Sequence, residues 1–135
     1  MEQIRVVPDT NVLISALMIK EGNPRKIFEK FLEGEIIFIE SEELLSELRD
    51  VFMRKKFDFI SSDEKENFIK GLIELCEIIE PKNKLDVVKD DPKDNKFIEA
   101  AEEGEADYII AGDNHLLRIE KYKNIQIVSP KIFLE

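Results

Sequence analysis

Short apolar runs alternate with stretches of helical periodicity along the whole chain. The runs fall at residues 4–8, 36–39, 78–79, 107–111 and 125–128. Between them, apolar residues recur at spacings of three and four, as in the sets Ile27, Phe28, Phe31, Leu32 and Leu44, Leu45, Leu48, Val51, Phe52. Strands that alternate with helices predict an α/β fold, a parallel sheet covered by helices on both faces. The run Ile36-Ile37-Phe38-Ile39 is apolar throughout, as expected of a strand buried on both sides. Right-handed crossovers bring every strand's carboxyl end, and the N-terminus of every following helix, to one edge. Open α/β sheets hold their ligands at that edge.

The punctuation between the runs sets the expected elements. A first helix runs from Asn11 to about Lys20 and stops at Glu21-Gly22-Asn23-Pro24. Pro24 suits the first turn of a second helix, which Gly34 closes. Ser41 is the expected N-cap of a third helix. Ser62 or Asp63 opens a fourth, with Phe68, Ile69, Leu72, Ile73 and Leu75 facing inward. Residues 81–93 are expected to be the least structured part. A fifth helix spans 94–103, a short helical turn spans 114–117, and Pro130 opens a last one over 131–134. No internal repeat or linker divides the chain, so residues 1–135 are expected to form one domain.

Composition narrows the function. The net charge of −10, from 20 basic and 30 acidic residues, argues against nonspecific coating of nucleic acid, whose affinity comes mainly from cations on phosphates. It leaves room for an enzyme with an acidic centre and a local basic rim. No apolar run reaches the roughly 18 residues that span a bilayer. The first residues lack a basic segment followed by an apolar one, and a single cysteine, Cys76, has no internal partner. The expectation is a cytoplasmic protein without membrane contact, with Cys76 a small apolar helix residue.

Four acids fall where the topology gathers chemistry. Asp9 follows the first run and precedes the first helix, and Asp113 follows the fourth run after Gly112. Asp94 opens the fifth helix, three residues before Phe97. Glu47 lies between Leu44 and Val51, at the border of a buried helical face, where a charge must be paired or bound to a metal. Each also has a plain structural role open to it, since Asp9, Asp94 and Asp113 are all well placed to cap a helix. Four carboxylates at one edge repel, and a divalent cation resolves the repulsion; oxygen donors select Mg²⁺ or Mn²⁺. Thr10 or Asn11 is expected to cap the first helix and orient Asp9. Asp90 and Asp91 compete with Asp94 for the third position. His115, the one histidine, sits two residues after Asp113, where a general-base role competes with an incidental exposed one. Lys96 and Arg54 lead the candidate substrate contacts, beside Arg49, Lys55 and Lys56.

These residues carry a resemblance. Asp9-Thr10-Asn11-Val12-Leu13-Ile14-Ser15-Ala16, then Glu47, then Asp94-Asn95-Lys96-Phe97-Ile98-Glu99-Ala100-Ala101, then Ala111-Gly112-Asp113 resemble the successive motifs of the PIN domain. The resemblance covers essentially the whole chain. It is similar to the prokaryotic branch described as toxin components of toxin–antitoxin pairs. It implies a three-layer α/β/α sandwich with a five-stranded parallel sheet in the order 3-2-1-4-5. It also implies Mg²⁺- or Mn²⁺-dependent endonucleolytic cleavage of single-stranded RNA, with Asp9, Glu47, Asp94 and Asp113 as catalytic and metal-binding acids and Asn11 in support. A small antitoxin and a homodimer are its implied protein partners. Two positions depart from the pattern: Ala111 stands where Thr or Ser is common, and His115 stands where many members have another Asp.

In that mechanism a bound ion acidifies a water, which attacks phosphorus in line, and the ion offsets charge on the phosphate oxygens. Whether one or two ions bind, and which acid serves as base, stays open at this level. Two other readings stand beside it: an RNA-maturation nuclease with no antitoxin, and a catalytically weak binding or assembly module on the same fold. A phosphoaspartate phosphatase is disfavoured, because such enzymes usually need a second Asp where this chain has Asn11.

Overall fold

The computed structural model describes residues 3–135. The expected α/β sandwich is there. Strands β1 (Ile4–Pro8), β2 (Ile36–Glu40), β3 (Glu77–Ile78), β4 (Tyr108–Ile110), β5 (Lys121–Tyr122) and β6 (Ile125–Val128) form one sheet in the order β3-β2-β1-β4-β6-β5. All pairings are parallel except β5 with β6. The sheet therefore has six strands rather than five. The extra one is a two-residue antiparallel edge in which Lys121 pairs with Gln126 and Tyr122 with Ile125. It is too short and too exposed to leave a period-two pattern in the sequence. Omitting it, the order is the one the resemblance implies.

The helices are α1 (Thr10–Met18), α2 (Asn23–Leu32), α3 (Glu42–Phe52), α4 (Ser62–Leu75), α5 (Asn95–Glu103), α6 (Asn114–Leu117) and α7 (Pro130–Leu134). Single 3₁₀ turns lie at Lys55–Phe57 and Pro92–Asp94. Alternate residues of the central strands enter different cores. Val6, Phe38 and Ile110 pack with α1 to α4, while Val7, Ile39 and Ile109 pack with α5 and α6. The first core is aromatic: Phe31 stacks on Phe38 at 4.2 Å and Phe28 on Phe68 at 4.8 Å between ring centres. Rings at such spacing add to the area they bury. The second core is smooth and tight. A Cβ on Gly104, where α5 ends, would meet the Ile39 side chain at 2.7 Å, so only glycine allows this approach.

Several boundaries move from their expected places. Helix α1 starts one residue early and ends at Met18, because Asp9 itself caps it. Strand β3 lies one residue before the apolar pair 78–79. Leu32 and Leu75 are exposed rather than buried; each is the last residue of its helix, past the final turn packed on the sheet. Residues 81–89 form no helix or strand, yet they are tied to α5. Asn95 Oδ1 accepts the Val87 and Val88 N–H groups, both at 2.8 Å, and its Nδ2 donates to Pro92 O at 2.8 Å. Glu99 accepts the Leu85 N–H at 2.9 Å. Val88 is thereby held in the second core, and the segment after it arrives at the carboxyl edge of the sheet.

Candidate metal centre

Asp9, Glu47, Asp94 and Asp113 line one cleft of about 200 Å³ at the carboxyl edge of the sheet. Each is positioned differently. Asp9 is 2% exposed. Its Oδ1 accepts the Val12 N–H at 2.8 Å, capping α1, and its Oδ2 accepts the Gly112 N–H at 2.8 Å. Capping and site geometry are thus one arrangement. Burial raises its pKa to about 6, against the pull of those N–H groups. Gly112 serves through its N–H: a Cβ there would meet only Asn11, at an ordinary 3.8 Å, so close packing does not demand glycine.

Glu47 is engaged at both oxygens. Thr10 Oγ1 donates to Oε2, and Lys96 Nζ stands 2.7 Å from Oε1. Thr10 therefore orients Glu47, not Asp9 as expected from its position. Asn11 lines the same cleft from an exposed position. Lys96 is committed to Glu47 rather than free for substrate, and the cations on the cleft wall are Arg54, Lys56 and Lys93.

Asp94 ends the Pro92–Asp94 turn and makes no side-chain cap bond to α5, so its plain structural role is not realised. It is 6% exposed, and Oδ2 has no hydrogen-bond partner. Burial first, then the carboxylate of Asp113 beside it, push its pKa up to about 8. Asp113, which shares that proton and caps α6 by accepting the His115 N–H at 2.9 Å, is held below its usual range. Two acids placed so closely do not both ionise without a cation.

The tightest grouping differs from the expected four. One ligand atom from each of Asp91, Asp94, Asp113 and His115 lies within 4.8 Å of the others. Asp91, set behind Asp94 in the expectation, stands beside it. His115 Nδ1 is 3.5 Å from Asp91 Oδ2 and 3.6 Å from Asp113 Oδ1. A crowd of hard oxygens with an unpartnered, buried Asp94 Oδ2 fits a divalent cation. Elsewhere a larger cleft of about 570 Å³ lies beside β3 and the start of α3. Its buried acid, Glu99, already accepts the Leu85 N–H and faces Lys84, so it offers no comparable open valence.

A model of the PIN domain matches residues 5–115. The uncharacterized protein MJ1680 of Methanocaldococcus jannaschii is 33% identical over 143 residues, spanning 98% of this chain and 91% of that protein. The chain belongs to the PIN domain family. Its fold is also that of VapBC2 from Rickettsia felis, solved bound to a DNA fragment from their promoter. That likeness has a TM-score of 0.61 at 16% identity, over 92% of this chain and 97% of the other. PIN domains are generally metal-dependent nucleases, and this chain carries the acidic cluster such chemistry uses.

Proposed function

We propose that the protein is a Mg²⁺- or Mn²⁺-dependent endoribonuclease acting on single-stranded RNA, and the toxin of a toxin–antitoxin pair. One observation carries the proposal. Asp94 is almost fully buried, lacks a partner at Oδ2, and crowds against Asp113 in a cleft that Asp9 and Glu47 share. A buried carboxyl crowded against a second one in an open cleft is costly unless a cation neutralises the pair. Asp94 and Asp113 would hold a divalent ion, with Asp9 completing the set; the ion would supply an acidified water and offset charge on the phosphate.

The chain's own groups do the rest. Asp9 is immobilised by two amide N–H groups, so its remaining lone pairs have a fixed direction. Glu47, aimed by Thr10 and Lys96, is placed to hold or accept a proton from the attacking water. Asp94, which holds a proton beside Asp113, would give it up to serve as a ligand. Arg54, Lys56 and Lys93 give an acidic molecule a local basic wall for a phosphate chain. Water adds at phosphorus, the P–O3′ bond breaks, and the products carry 5′-phosphate and 3′-hydroxyl ends.

An inhibitory protein partner fits an acidic cleft that is open at its rim, and it would be expected to bring a basic group. Exposed Met18 and Ile19 at the end of α1 and Leu32 at the end of α2 are candidates for a homodimer surface. Sedimentation at tens of micromolar that gives only a monomer would remove the dimer. The nuclease reading is tested by incubating the EDTA-stripped protein with a mixed single-stranded RNA pool. Cleavage on adding Mn²⁺ or Mg²⁺, with 5′-phosphate ends, is expected. No cleavage by a sample that binds metal would point instead to a binding or assembly module.

A further inference from the structure

The acids of the cleft differ in how much of their bonding capacity the protein already uses. Asp9 accepts an N–H at each oxygen, and Glu47 is engaged at each oxygen by Thr10 and Lys96. Two further buried atoms have no hydrogen-bond partner among the described residues, Asp94 Oδ2 in the cleft and His115 Nδ1 beside Asp91 and Asp113. The distances from His115 Nδ1 to Asp91 and Asp113, 3.5 and 3.6 Å, exceed the roughly 2.7–3.2 Å of an N–H···O bond. The ring nitrogen therefore lies beside two carboxylates without bonding to either.

We propose that His115 Nδ1, with Asp91, Asp94 and Asp113, forms a mixed nitrogen–oxygen cation subsite that favours a first-row transition-metal ion over Mg²⁺. The inference rests on the nuclease reading only in sharing Asp94 and Asp113 with it. The four ligand atoms lie within 4.8 Å of one another. Ligands facing each other across one ion, with bonds of about 2.0–2.2 Å, stand about 4.0–4.4 Å apart, so a small inward adjustment closes the set. An ion there satisfies both orphaned atoms at once and neutralises the crowding of Asp94 with Asp113. The nitrogen decides the choice of metal. Mg²⁺ takes oxygen ligands and keeps its waters, whereas imidazole suits Mn²⁺ less than Co²⁺ or Zn²⁺, and all of these more than Mg²⁺. The one nitrogen donor is thus the ligand that sets the ion.

Asp91 reaches this subsite because the 81–93 segment is pinned. Asn95 holds Val87, Val88 and Pro92, leaving Asp91 at the turn between them and α5. Two features, the histidine and the laced segment, converge on one place.

The test reads metal ligation directly, on the full EDTA-stripped chain with Mn²⁺ or Mg²⁺ as the sole added ion. Pulsed EPR of the Mn²⁺ form is expected to show ¹⁴N modulation from an imidazole nitrogen. In His115→Asp the modulation disappears, and calorimetry shows the ratio of Mn²⁺ to Mg²⁺ affinity falling at least about tenfold, the lower end for disturbing a metal site. Asp91→Asn weakens Mn²⁺ binding and keeps the modulation. Unchanged circular dichroism checks that the variants fold. Bound Mn²⁺ without ¹⁴N modulation, an unchanged ratio in His115→Asp, or no Mn²⁺ binding would each overturn the assignment. Cleavage measured in parallel separates the two readings. Nitrogen-ligated Mn²⁺ without cleavage of any RNA leaves the subsite standing and removes the nuclease. Cleavage with an all-oxygen ion does the reverse.

Discussion

Asp9 and Glu40 are both buried carboxyls at the carboxyl ends of neighbouring strands, and the protein treats them in opposite ways. Asp9, just past β1, is 2% exposed and receives an N–H at each oxygen. Its pKa rises only to about 6. Glu40, the last residue of β2, is 1% exposed; Oε2 has no partner, and burial alone lifts its pKa well above the usual value. It also helps push the Cys76 thiol up to about 12, after burial of the thiol itself. Depth does not separate the two. Backbone donors do: they let Asp9 stay available as an anion at neutral pH, whereas nothing offsets the burial that favours the neutral form of Glu40. A helix N-terminus and a glycine N–H hold the first in place as a carboxylate that a site can use. Glu40 has neither and contributes a liability.

The largest effects should come from the first region. Asp9→Asn and Asp94→Asn are expected to lower metal-dependent cleavage by more than about 100-fold, beyond the ~10–100-fold typical of losing a partner outside the ligand set. Gel-based initial rates measure this, and near-normal rates in both variants would break the contrast. Glu40 calls for the opposite experiment. Glu40→Leu removes a buried unpartnered acid and is expected to stabilise the fold by about 1–3 kcal/mol at pH 7, read from denaturant midpoints.

The pH dependence follows from the sign of the Glu40 shift. Its pKa is raised from 4.5 on folding, so the folded state holds the proton more tightly. The stability it allows is fully present below pH 4.5 and is lost as pH rises through its folded value, at up to ~1.4 kcal/mol per pH unit. Glu40→Gln should flatten that slope above pH 4.5, to roughly the extent that one proton accounts for. An unchanged slope would show that Glu40 ionises freely in the folded protein.

Smaller effects sharpen the same comparison. Lys96→Met leaves Glu47 with Thr10 alone. Since Lys96 is only 14% exposed, the loss should be about 1–2 kcal/mol, above that of a surface pair and below that of a fully buried one. Arg54→Ala should weaken RNA binding modestly and lower the salt slope by about 0.7, as for one phosphate contact on a single strand. Filter binding across a salt series measures it, and an unchanged slope would take Arg54 off the substrate path.

What the sequence made legible follows from where physical constraints are local. Asp9 and Asp113 could be placed because each ends an apolar run and begins a helix, and parallel topology alone brings such points together. Phe28, Phe31, Leu45 and Leu48 could be placed because helical spacing marks a buried face. Asp94 could be preferred to Asp91 from its spacing to Phe97, but that Asp91 stands beside it could not be read. That placement depends on Asn95 reaching back to Val87 and Val88, a side-chain bond with no periodic signature. The pairing of Thr10 and Lys96 on Glu47 joins three helices, and no local pattern encodes it. Glu40 sits at the end of an apolar run, where a charge reads as the strand's exit into solvent; only the packing of its neighbours reveals that it stays inside. Residues 121–122 pair with 125–126 in a two-residue register that is too short for its side chains, all but Ile125 exposed or half-exposed, to announce.

The measurement that bears most directly on the central contrast is a single cleavage series. Wild type, Asp9→Asn and Glu40→Gln would be compared on one single-stranded RNA pool with Mn²⁺, with and without EDTA. Cleavage by wild type and Glu40→Gln, lost in Asp9→Asn and lost with EDTA, is the expected result. Cleavage that survives in Asp9→Asn, or that disappears in a folded Glu40→Gln, would contradict the division of these buried acids into one that works and one that does not.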